Sequence, residues 1–291
     1  DGRCSANCAF CPQARESNSA SDRLSRISWP VYDLDDVMKR LSEQMPFKRA
    51  CVQVLNSPGI IEDVEQIVIQ IRTRTQIPIS ISIHPLSTDE MMKLHLAGAS
   101  SIGIALDACT EPLFNRVKGR DRGSPYRWHN HIEALTTALE VFGEGNVATH
   151  LIVGLGESEE EIIRFLKEMK RLKIRVGLFA FTNIRGTTLE DWNQPDVSIY
   201  RRVQVVHYLL NNGLLSDGQI RVAQTGEIRL DLSPNRLKEI LSSGAAFQTS
   251  GCKDCNRPYY NERPSGPLYN YPRPLTQEEV KEAIAATGLV S

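Results

Sequence analysis

Three cysteines fall within one short stretch, Cys4-Ser-Ala-Asn-Cys8-Ala-Phe-Cys11. Closely spaced thiolates of this kind can hold three corners of a cubane iron–sulfur cluster, which leaves the iron at the fourth corner without a protein ligand. An open corner can bind a chelating small molecule and deliver an electron to it. Structural zinc is the competing chemistry, but such sites are normally closed by four ligands, and no fourth Cys or His lies within about twenty residues of Cys11.

Four cysteines remain: Cys51, Cys109 and the pair in Cys252-Lys-Asp-Cys255. Thiolates at Cys51, Cys252 and Cys255 suit an auxiliary four-iron cluster if the fold brings them to one barrel face; a structural zinc or a redox C-x-x-C are the alternatives for the pair. Cys109 reads as a plain buried cysteine. An odd total of seven, three of them clustered, fits metal ligation in a reducing cytosol better than a secreted disulfide framework, so a cytoplasmic location is expected.

Lys and Arg number 34 against 35 acidic residues, a formal net charge of −1, and no basic block points to nucleic acid as a partner. No apolar run approaches the roughly 20 residues of a membrane span, and no signal-peptide pattern opens the chain. The first residue is Asp1 rather than Met, so an upstream segment is expected, including the strand that should lead into the cysteine loop.

The elements that must position these thiols alternate as repeated βα units. Predicted strands are Ala50–Asn56, Ile79–His84, Ser101–Leu106, Ala148–Gly154, Arg175–Thr182, Gln219–Ala223 and Ala246–Thr249. Predicted helices are Leu34–Gln44, Ile60–Thr73, Thr88–Ala97, His131–Phe142, Ser158–Leu172, Ile199–Asn211, Pro234–Ser243 and Thr276–Ala286. Ser158 with Glu161 forms a capping-box signature, and Ser233 before Pro234 is a second start signal. The seven strands and the missing upstream one favour a complete (β/α)₈ barrel over residues 1–250, whose first βα loop carries the cysteines. Residues 251–291 read as an ordered Cys-, Pro- and Tyr-rich extension with a short helix, covering the barrel mouth.

On Cys4, Cys8, Phe10 and Cys11 the sequence resembles the radical S-adenosylmethionine superfamily, whose signature is C-x₃-C-x₂-C with an aromatic residue before the last cysteine. The similarity to biotin synthase and its relatives runs from the cysteine loop through Leu151-Ile-Val-Gly-Leu-Gly-Glu157 to Gly251. It implies a radical-SAM TIM-type barrel, truncated upstream of Asp1, with a 4Fe-4S cluster on Cys4, Cys8 and Cys11. It also implies that S-adenosylmethionine chelates the open iron and is cleaved reductively to a 5′-deoxyadenosyl radical that removes hydrogen from an unactivated C–H bond. Within the same resemblance, Asn56 and Ser57 are expected near the methionyl amino group, Asp107 near the ribose, and Ile152 and Phe10 near adenine. His131 is expected near the cofactor carboxylate. Taken singly, Asn56 and Asp107 read equally well as helix caps and Ile152 as core. His84 and His150 read first as core histidines.

Biotin synthase uses further barrel cysteines and an arginine for a two-iron cluster, and only Cys51 matches that set. The tail CNRPYYNERPSGPLYNYPRP is similar to the two-component lipoyl synthases. That resemblance implies sulfur insertion into octanoyl groups on a carrier-protein lysine, with an auxiliary cluster as sulfur source. The implied partners are an octanoylated lysyl domain or peptide, a second lipoyl synthase component and an electron donor, with Arg257, Arg263, Tyr259 and Tyr260 at the substrate mouth. The alternatives are another biotin-synthase-like enzyme (biotin synthase, a mutase or a maturase) or a non-catalytic iron–sulfur or zinc scaffold.

Overall fold

A computed structural model of the chain describes residues 3–43, 47–255, 257 and 259–290. After a two-residue hairpin, β1 (Arg23–Leu24) and β2 (Ile27–Ser28), five parallel strands form one sheet in chain order. They are β3 (Ala50–Gln53), β4 (Ile79–Ser82), β5 (Ser101–Gly103), β6 (Val147–Val153) and β7 (Arg175–Ala180). Their register sets Cys51 beside Ser80, Ser80 beside Ser101 and His150 beside Gly177. The crossovers are α1 (Leu34–Ser42) before β3, α2 (Ile60–Arg74), α3 (Thr88–Ala97), α4 (Glu111–Val117) with α5 (Trp128–Phe142), and α6 (Glu159–Arg171). Beyond β7 lie α7 (Val197–Asn211), the hairpin β8 (Ile220–Val222) and β9 (Ile228–Leu230), α8 (Pro234–Leu241) and α9 (Gln277–Ala286).

Local sequence explains where these helices begin. Ser87 with Glu90, Ser158 with Glu161 and Thr276 with Glu279 form reciprocal capping boxes at α3, α6 and α9. Each helix then turns a stripe inward: α6 buries Ile162, Ile163, Phe165, Leu166 and Met169, the spacing of one helical face. On the sheet, outward residues such as Ile79, Ile81, Val147 and Leu151 are fully buried beneath the helices. The alternate positions, including Ser80, Ser82, Gly103, Ala148 and Gly177, face a hollow interior.

The expected α/β fold, a parallel sheet wrapped by helices, is present, but the count of eight strands is not: among the described residues the sheet has five. Gln219–Ala223 is not a barrel strand. Its core, β8, pairs antiparallel with β9 because Gly226, at φ +88°, turns the chain back. The alternation of Ile220, Arg221 and Val222 with Ile228, Arg229 and Leu230 is that of a ribbon with one wet face, not of a strand buried on both. Ala246–Thr249 is likewise a 3₁₀ turn, Ala245–Phe247, followed by extended chain. Helix α4, unforeseen, is capped by the Thr110 hydroxyl and carries Pro112 in its first turn. The last residue of predicted helix Leu34–Gln44, together with Asp1, lies outside the described residues.

The edges of the sheet, β3 and β7, do not pair with each other. The tail spans the space between them. Leu178 of β7 donates its N–H to Ser250 Oγ at 2.8 Å, and Arg49, just before β3, donates Nε–H to the Lys253 carbonyl at 3.0 Å. Just beyond the C-terminal end of β7, the Thr182 hydroxyl donates to the Asn261 carbonyl at 3.1 Å.

A second fastening holds the cysteine loop to the far side of the interior. Asn18 donates its N–H to the Gly186 carbonyl at 2.8 Å, and Gly186 sits at φ +86° with its α-carbon against that strap. A Cβ there would stand 2.6 Å from the Asn18 carbonyl carbon. Gly186→Ala should therefore destabilise the protein by about 2–3 kcal/mol in urea unfolding, through strain plus backbone collision, whereas Gly213→Ala should cost only about 1 kcal/mol. Gly213 shares the positive φ, at +65°, but has open space around it.

Candidate functional site

The cysteine loop is built from backbone hydrogen bonds rather than regular structure. Cys4 N–H donates to Gln13 at 3.0 Å, Cys11 N–H to Cys8 at 3.1 Å and Ala14 N–H to Cys11 at 3.1 Å. It is lashed to three strand ends or crossovers: Ser5 N–H to Asn56 after β3, Ala9 N–H to Val117 at the end of α4, and Leu189 N–H to Ala9 from the loop after β7. All three thiols are partly accessible, and Cys4 is near enough to both Cys8 and Cys11 to raise their proton affinity. Burial pushes the Cys8 thiol up strongly, against the pull of Lys118, and pushes Cys11 up to about 11. Ligation of iron by Cys8 and Cys11 would therefore release their protons. Among the described residues, no group of three or more His, Cys, Asp or Glu converges where one metal ion would sit. A mononuclear site needs that convergence; a cluster, whose ligands attach to separate irons, does not.

Inside the sheet lies a cavity of about 470 Å³. Phe10 and Cys11 line one end, Asp107, His150 and Ile152 its wall, and Cys51, Cys252 and Cys255 the other end. Small residues make the room. Gly103, Ala148 and Gly177 stand where a packed barrel has branched side chains, and a Cβ on Gly177 would touch the His150 ring at 3.4 Å.

The cofactor residues expected from sequence divide into groups. Phe10, Asp107 and Ile152 line the cavity. Asn56 holds the loop through its carbonyl and donates from its side-chain amide to the Tyr126 hydroxyl at 3.3 Å; Ser57 follows it, half-buried. His131 is not brought to the cavity. It is buried between Phe114 and Tyr126, with ring centroids 5.0 Å from each, and its Nδ1 faces the Arg127 carbonyl at 2.9 Å. Cys109 is buried, beyond the cavity.

The buried cation that sequence reading missed is Lys118, which caps α4. Its ammonium donates to Asp107 Oδ2 at 2.6 Å and to the Ala105 carbonyl at 2.5 Å, and lies 5.3 Å from the Tyr126 ring centroid. Burial disfavours its charge, but Asp107 and Cys8 outweigh that and hold its proton more tightly than usual. Asp107 itself takes φ +63°, a left-handed conformation that aims its carboxylate back at Lys118. The sequence signal was slight: a lone Lys closing the amphipathic run Leu113–Val117.

Arginines surround the far cysteines. Arg175 Nη2 approaches Cys252 Sγ at 3.9 Å, and Ser80 Oγ approaches it at 3.8 Å. Arg49 Nη1 donates to Ser80 at 2.8 Å, tying β3, β4 and the tail together. The Arg257 guanidinium stacks 3.8 Å from the Phe179 ring centroid and donates to the Ser250 carbonyl at 2.6 Å. Burial raises the Cys51 and Cys255 thiols, while Arg257 draws both back toward the thiolate.

Two outcomes follow. Lys118→Met should leave Asp107 charged, buried and unpaired, at a cost of about 3 kcal/mol in denaturant unfolding, and adding Asp107→Asn should restore most of it. Burial also lowers the proton affinity of His131 to about 3, and of His150 and His207 to about 4, from an ordinary 6.5. Between those values the unfolded chain binds more protons than the folded one, so stability should decline as pH falls from about 6.5 toward 4. Thermal unfolding across that range checks it.

Comparison with known proteins bears on the same loop and sheet. The profile described as the Radical SAM superfamily matches residues 2–169, more than half of the chain. Biotin synthase of Pelotomaculum thermopropionicum is 24% identical over 74% of this chain and 65% of its own length; that of Magnetococcus marinus is 23% identical over 79% and 68%. The chain thus spans about two thirds of the curated relatives it matches. Among solved structures, methylornithine synthase superposes with a TM-score of 0.56 at 17% identity, over 72% of this chain and 59% of that one. The FeFe-hydrogenase maturase of Carboxydothermus hydrogenoformans gives 0.56 at 16%, over 72% and 49%. These two share the fold. With the superfamily profile covering the cysteine loop and all of β3 to β6, the chain belongs to the radical SAM superfamily.

Proposed function

We propose that this protein inserts sulfur at unactivated C–H positions, as a lipoyl synthase component acting on octanoyl-lysine of a carrier protein. Superfamily membership brings a 4Fe-4S cluster and S-adenosylmethionine, which together supply a 5′-deoxyadenosyl radical able to take hydrogen from an alkyl carbon. In this reading Cys4, Cys8 and Cys11 hold that cluster. Phe10, Asn56, Ser57, Asp107 and Ile152 border the cofactor, and Lys118, buried against Asp107, holds that carboxylate in place.

The observation that carries the finer reading is the placement of Cys51, Cys252 and Cys255 at the end of the cavity away from Cys11. Three thiols there, set among Arg49, Arg175 and Arg257, suit an anionic auxiliary cluster, with the guanidiniums compensating its charge. A substrate carbon in the cavity then lies between a radical source and a sulfur source. The apolar wall residues Ile152 and Phe179 offer an alkyl chain a dry passage, and neutral His150 and the small residues beside it leave that passage open.

Anaerobically reconstituted protein should contain about eight irons per chain, falling to about four in Cys252→Ala, with the wild type but not the variant giving a thiolated octanoyl-lysyl peptide when supplied with reductant, S-adenosylmethionine and its partner component. About four irons in the wild type would overturn the sulfur-donor reading.

A further inference from the structure

Beside the catalytic cavity lies a second recess of about 420 Å³, and Thr182, Ile184 and Asn261 line both. Four guanidiniums border it from three separate parts of the chain: Arg23 and Arg26 on the β1–β2 hairpin, Arg185 after β7, and Arg263 in the tail. Among the described residues none of the four forms an ion pair, although Glu190 and Asp191 share the recess. Glu190 instead accepts the Gly186 N–H at 2.7 Å.

Arg26 is held in place without having its charge met. Arg26 Nη2 donates to the Tyr259 carbonyl at 2.9 Å, fixing the hairpin to the tail, while its Nε is buried with no hydrogen-bond partner. In a chain whose formal net charge is −1, this local excess is not a by-product of overall basicity. Guanidiniums present paired donors matched to carboxylates, and Arg185 and Arg263 are exposed, so the recess admits a chain segment rather than enclosing a small ion.

We propose that this recess docks an acidic peptide segment, the carboxylate-bearing sequence around the substrate lysine of the carrier protein, while the modified lysine passes along Thr182 and Asn261 into the cavity. The assignment rests on the lysyl-carrier reading above and adds how that carrier is recognised.

Octanoyl-lysyl peptides flanked by glutamates or by glutamines, labelled for fluorescence anisotropy, test it on the reconstituted protein. The glutamate peptide should bind about tenfold more tightly at low salt and lose that advantage at about 0.5 M salt. The R23E/R185E variant should weaken binding of the glutamate peptide about tenfold or more, with R23Q/R185Q in between, while leaving iron content and peptide-independent cleavage of S-adenosylmethionine unchanged. Equal affinity for the two peptides, or indifference to charge reversal, would overturn the proposal. Thiolation with indifferent arginines would remove the docking site and leave the proposed function standing; arginine-dependent binding without thiolation would do the reverse.

Discussion

A parallel sheet of five strands cannot satisfy its own margins. Each edge carries backbone groups that require water, another strand or a substitute, and an interior kept hollow for a reaction cannot be left open to bulk solvent at its side. In this protein the substitute is the irregular tail, which offers Ser250 Oγ to β7 and the Lys253 carbonyl to Arg49 beside β3. Its use of side chains and single carbonyls in place of a ladder is what allows Cys252 and Cys255 to point inward from the same segment.

The two ends of the cavity are electrostatically alike in plan. Near the cysteine loop a buried ammonium, Lys118, faces thiols and a carboxylate; near Cys252 and Cys255 three guanidiniums face thiols. Each end therefore tolerates added negative charge, which ligation of iron by several thiolates brings. The wall between them carries little charge: His150 stays neutral through burial, and Ser82, Gly103, Ala148, Ile152, Gly177 and Phe179 line the interior beside it.

Much of this was legible from residue order. The cysteine spacing singled out the loop that the superfamily profile covers, the capping box at Ser158 and the Ser233-Pro234 signal marked helix starts, and the apolar runs located β3 to β7 to within a few residues. What stayed hidden depended on contacts distant in sequence. Whether Ile220–Val222 joins the sheet or folds on Ile228–Leu230 is decided by the turn at Gly226, and a short apolar run alone looks the same in both. Lys118 gives no periodic signal, because its role comes from the left-handed turn at Asp107 meeting the end of α4. His131 looked available by its place near a helix start, yet Trp128 lengthens α5 and rolls the imidazole against Phe114 and Tyr126.

The seam between tail and sheet has a kinetic side. Arg49 and Lys253 are 204 positions apart, so bringing them together carries one of the larger loop-closure entropies in the molecule. Contacts of that span form after the local βα units have condensed, since their cost is repaid only when both surfaces already exist. During synthesis the strands emerge before the tail. The hollow is thus assembled as an open trough and roofed afterwards, by the segment that also delivers the last two cysteines.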